Sequence, residues 1–133
     1  MNDNSLVVGL RFYGISPWEM EVIYGLFSNK FKIIQEETEQ IDTDFVSELV
    51  ITIPIQFSEE FFKWFEFRTW EKVKAILKEM KRRRGRGNAI RIEIVFTGKP
   101  NVRFVVDLSE SHLFNSSIEK IDFVVELLPY HLN

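Results

Sequence analysis

The sequence predicts an α+β two-layer sandwich, a mixed or antiparallel sheet with helices on one face, in the order β-α-β-β-α-β-β-α. Three observations carry that prediction. Four runs alternate apolar and polar residues with the two-residue period of half-buried strands. Three further segments carry helical caps and helical spacing, and the last two alternating runs are joined by a turn cluster.

In chain order, Leu6, Val8, Leu10 and Phe12 share one face of a first strand that ends at Tyr13. Gly14 turns the chain into Ser16-Pro17-Trp18-Glu19, a helix start with Ser16 as N-cap, Pro17 at the first helical position and Glu19 closing a capping box. Met20, Ile23 and Phe27 form the stripe of this helix, which reaches about Ser28 and stops at Asn29. Phe31 to Glu36 reads as a short second strand. Leu49, Ile51, Ile53 and Ile55 alternate over a third. Pro54 has no N–H to donate, which makes this strand an edge or marks where its pairing ends.

Ser58 caps a long helix that runs to about Arg84 and is stopped by Gly85 and Gly87. Thr69 offers a second cap, and hence a place for that helix to break. Ile90, Ile92, Ile94 and Phe96 face inward on a strand from Ala89 to Thr97, a turn follows at Gly98-Lys99-Pro100-Asn101, and Val102, Phe104, Val106 and Leu108 complete a hairpin. Ser116 and Glu119 form another capping box for a final helix through Ile121 and Val125 to Leu128, ended by Pro129. The first six elements are compatible with a ferredoxin-like βαββαβ core to which a C-terminal strand and helix are added.

Composition bounds the function. Residues 1–133 make a single α+β domain, and 45% hydrophobic content with 13 Phe supplies a core without staples. The absence of cysteine excludes disulfides, thiolate metal centres and cysteine nucleophiles, and it suits a reducing, cytoplasmic compartment. No apolar run approaches a membrane span and the first residues lack a signal-peptide pattern, so the expectation is a soluble protein without a membrane partner. A net charge of −3 excludes a generally basic nucleic-acid coat.

Motifs for chemistry are sparse. Asp107, Ser109 and His112 supply the residue types of an acyl-transfer triad, and Asp107, Glu110 and His112 those of a metal site, but neither has a spacing that implies the geometry. Arg84-Gly85-Arg86-Gly87 follows a helix and precedes a strand, the reverse of a phosphate-binding loop. The acidic stretch Glu36 to Glu48 lacks a calcium-loop pattern and reads as a solvated connection. No catalytic, cofactor-binding or metal-binding residue is assigned, and no cofactor is expected.

Two features stand out. Residues 78–86 hold six cations (Lys78, Lys81, Arg82, Arg83, Arg84 and Arg86) against Glu79, a net +5 while the rest of the chain sums to −8. They read either as a solvated helix end or as an anion-binding knob. On one continuous helix from Ser58, Trp64 and Phe67 fall opposite the stripe of Phe62, Phe65, Val73, Ile76, Leu77 and Met80, among polar neighbours where a one-faced helix should carry none. They are therefore interface candidates. The expected function is a non-enzymatic protein-interaction or adaptor domain, a homodimer through this aromatic face or a module docked on a larger protein. Polyanion or nucleic-acid binding at Lys78–Arg86 is the alternative, and a small-molecule enzyme using the Asp107–His112 loop the third reading.

Overall fold

Each apolar alternation in the chain becomes a strand, and the strands assemble into one mixed sheet. The computed structural model describes residues 7–40, 44–54, 68–85, 89–97 and 101–131, with side chains as far as Phe123. The elements are β1 (Val7–Tyr13), α1 (Pro17–Ser28), β2 (Lys32–Glu37), β3 (Ser47–Pro54), α2 (Thr69–Arg84), β4 (Ile90–Thr97), β5 (Val102–Val106) and α3 (Ser111–His131). Their order is the one the sequence predicts. Among the described residues the sheet has the strand order β2-β1-β3-β4-β5. β1 runs parallel to β2 and antiparallel to β3, while β4 runs parallel to β3 and antiparallel to β5.

The register places Leu10 beside Ile51, Phe12 beside Leu49, and Leu49, Ile51 and Ile53 beside Ile92, Ile94 and Phe96. All these side chains share one face. They join Met20, Ile23 and Phe27 of α1, Val73, Leu77 and Met80 of α2, and Phe114, Ile118 and Ile121 of α3 in a single core. The three helices therefore form the second layer, with α2 packed between α1 and α3. On the other face of the sheet the outward positions carry ion pairs: Arg91 bridges Glu48 at 2.8 Å and Glu93 at 3.1 Å, and Arg103 meets Glu93 at 2.6 Å.

Several expectations change. The ferredoxin-like order of elements is present, but a split βαβ unit has a strand between its two parallel strands, whereas here β1 and β2, and likewise β3 and β4, are direct neighbours. β3 is central rather than an edge. Pro54 is its last residue, and pairing with β1 has already ended at Thr52, so the proline marks the end of pairing. α2 begins at Thr69 because Arg68 has φ +69°, a left-handed conformation that no α-helix continues through. The single helical wheel that set Trp64 and Phe67 against the stripe of α2 therefore does not cross Arg68; both aromatics lie outside the described residues.

α3 starts five residues ahead of the Ser116 cap. The Glu110 carbonyl accepts the Phe114 N–H at 2.9 Å, and the Phe114–Ile118–Ile121 stripe draws the earlier turn onto the core. Ser116 and Glu119 thus lie inside the helix, which continues past Pro129 to His131.

Candidate functional site

The C-terminal end of β1 meets the start of α1, the start of β3 and the end of α2 at one corner. Gly14 makes the turn at φ +67°, and a Cβ there would come within 2.3 Å of the Val46 carbonyl oxygen. Ser16 then caps α1: its hydroxyl accepts the Glu19 N–H at 3.2 Å, and its own N–H donates to the Glu19 carboxylate at 3.1 Å. This is the expected capping box. The same carboxylate, buried, holds Arg84 through Nη2 at 2.8 Å and Nη1 at 2.9 Å.

Arg84 also donates from Nε to Ser47 Oγ at 3.0 Å, from Nη1 to the Met80 carbonyl at 2.9 Å and from Nη2 to the Gly14 carbonyl at 3.3 Å. All five guanidinium N–H groups are therefore engaged within the chain. The Arg84 hydrogen bond outweighs burial and, with help from Ser16, holds the Glu19 carboxyl down to a pKa of about 2. Gly14, Ser16, Ser47, Arg83 and Arg84 line a hollow of about 390 Å³ at this corner.

The rest of the basic run is dispersed. Lys78 pairs with Glu119 on α3. Lys81 is fully buried, 5.8 Å from the centroid of the Phe114 ring, and burial lowers its pKa. Arg82 pairs with Glu79 one turn earlier, and Arg83 lies over the Trp18 ring at 5.0 Å from its centroid. Arg86 lies outside the described residues.

A second buried network ties α2 to α3. Lys74 Nζ reaches Asp122 at 2.6 Å, Glu119 at 2.9 Å and Glu71 at 2.9 Å, and the Trp70 indole N–H donates to the same Asp122. Burial alone would depress the Lys74 pKa, but hydrogen bonds to Asp122, Glu71 and Glu119 outweigh it and raise the value. Sequence reasoning did not single out Lys74, and it placed Lys81 in a solvated or anion-binding run although the side chain is buried. Their signal was spacing: Trp70, Lys74, Leu77 and Lys81 recur at the intervals of one helix face, and α2 lies between two helices rather than at the surface.

The Asp107–His112 loop gathers no triad. His112 sits in the first turn of α3 with its side chain 76% exposed, and its Nδ1 is 3.7 Å from Glu110, itself exposed. Among the described residues, no group of three or more histidine or carboxylate side chains could hold a metal ion, and no helix is long and apolar enough to cross a membrane.

Another concavity lies elsewhere. A cleft of about 500 Å³ opens between α1 and β2, walled by Phe12, Ile15, Pro17, Met20 and Tyr24, with Glu21, Gln35 and Glu37 at its polar side. β2 is an edge of the sheet among the described strands. On the face away from the cleft it presents Ile34, 57% exposed. The beginning of the acidic stretch, Glu36 and Glu37, is thus the end of this edge strand. Compared with protein-family models, curated proteins and solved structures, the chain matches none.

Proposed function

We propose that the chain is a non-enzymatic protein-interaction module that self-associates, acting in the cytoplasm as its cysteine-free sequence suits. One observation carries this reading: the β2 edge has apolar surface on both sides, Ile34 on one face and the cleft of Phe12, Ile15 and Tyr24 on the other. A strand laid along β2 would cover both at once and complete its ladder. A sheet edge that no described strand covers is a template for pairing with another chain.

The chemistry of the remaining polar groups supports the same reading. Glu19, Lys74 and Arg84 each have close partners of opposite charge that hold elements of the fold together. Sedimentation equilibrium from low to about a hundred micromolar tests the proposal. A concentration-dependent monomer–dimer equilibrium is the expected result. A chain that remains monomeric across that range overturns it.

A further inference from the structure

We infer that the second copy pairs antiparallel along β2, in the register that sets Ile34 of one copy opposite Ile34 of the other. This rests on the self-association reading above and adds the surface, the orientation and the register.

The backbone selects which residues can pair. The Thr38 N–H donates to the Phe12 carbonyl at 2.8 Å, just beyond the Phe12–Glu37 partnership of the parallel ladder. In such a ladder successive residues turn their N–H and C=O to alternate sides. Lys32, Ile34 and Glu36 therefore face β1 with their backbone groups, and Ile33, Gln35 and Glu37 turn theirs outward. An incoming antiparallel copy must set outward residues against outward residues, so its register can shift only in steps that preserve this parity.

Side chains then choose among the permitted registers. Centred on Ile34, the pairing brings the two isoleucines together and sets Lys32 of each copy opposite Glu36 of the other. Ile33 and Gln35 exchange backbone hydrogen bonds, with Ile33 of the second copy at the mouth of the cleft beside Gln35. Centring on Ile33 sets Ile34 against Lys32, centring on Gln35 sets it against Glu36, and centring on Glu36 sets like carboxylates together. Parallel, in-register pairing stacks Glu36 on Glu36 and Glu37 on Glu37. Cross-strand pairs of opposite charge stabilise and like pairs destabilise, so of these arrangements the antiparallel one centred on Ile34 is favoured, because it sets isoleucine on isoleucine and lysine on glutamate together. The arrangement is two-fold, the closed symmetry that lets one patch cover its own copy.

The absence of cysteine makes the test clean. Directly opposed residues that do not exchange hydrogen bonds have Cα atoms about 4.5 Å apart, within reach of a disulfide. Under mild oxidation Ile34→Cys is expected to give a covalent dimer, and Val105→Cys, exposed on the β5 edge, to stay largely monomeric. Lys32→Glu should weaken self-association about tenfold, and Lys32→Glu with Glu36→Lys should restore it. Crosslinking of Ile34→Cys no faster than Val105→Cys, or no recovery in the charge-swapped pair, overturns this pairing. If the wild type still sediments as a dimer in that case, self-association stands and only the surface is wrong. If the wild type is a monomer, both fall together.

Discussion

Arg84→Met removes all five hydrogen bonds of the guanidinium while keeping much of the side chain's length, and it leaves Glu19 buried with Ser16 as its remaining partner. Arg84 is the main reason the Glu19 carboxyl titrates at about 2 rather than 4.5. At about 1.4 kcal/mol per pKa unit, the pair contributes about 3 kcal/mol at neutral pH, near the low end of what removing one partner of a buried ion pair costs. A depressed folded pKa stabilises fully above the unfolded value, and the contribution fades as pH falls from 4.5 toward 2, to about 1.5 kcal/mol near pH 3. Urea unfolding of wild type and variant at neutral pH and near pH 3, followed by tryptophan fluorescence, reads both quantities. The variant should lose about 3 kcal/mol at neutral pH and about half that in acid. A loss under about 1 kcal/mol, or one that is the same at both pH values, refutes the reasoning.

Two further substitutions probe the remaining contacts. Gly14→Ala adds a Cβ 2.3 Å from the Val46 carbonyl at a positive φ and should cost more than about 2 kcal/mol, so an unchanged urea midpoint contradicts the turn described here. Lys74→Met should destabilise by about 1–3 kcal/mol and raise the Glu119 carboxyl pKa, now held down by Lys78 and Lys74. Carbon-detected NMR titration checks this, and a Glu119 midpoint that does not move contradicts it.

The strands and the first helix were legible because their signals are local. Alternation in β1, β3, β4 and β5 needs no knowledge of the neighbours, and Ser16 with Glu19 caps α1 as the spacing indicates. Non-local features were not. Pro54 reads as an edge marker because sequence does not say that two strands flank β3, and the Ser116–Glu119 spacing imitates a cap because Glu119 has a different task, receiving Lys74 and Lys78. The basic run shows the limit most clearly. In sequence its members look equivalent, yet burial sends Lys81 onto Phe114 and Arg84 onto Glu19, while Arg83 lies over Trp18 at the surface. What distinguishes them is which helix each faces, and that follows from α2 lying between α1 and α3. The β2 edge was likewise invisible, since a short strand announces neither its position in the sheet nor its side of exposure.

The Glu19–Arg84 bond joins residues 65 positions apart, and this separation matters while the chain is being synthesised. A nascent chain that has emerged through Pro54 already contains β1, α1, β2 and β3, but its Glu19 lacks the cation that makes burial favourable. At roughly 5–20 residues per second, Arg84 follows about 2–6 s later. During that interval the α1 corner must stay open or keep its carboxylate hydrated. The final arginine of α2 thus gives the first helix a contact that the N-terminal half cannot make until the central helix has been synthesised.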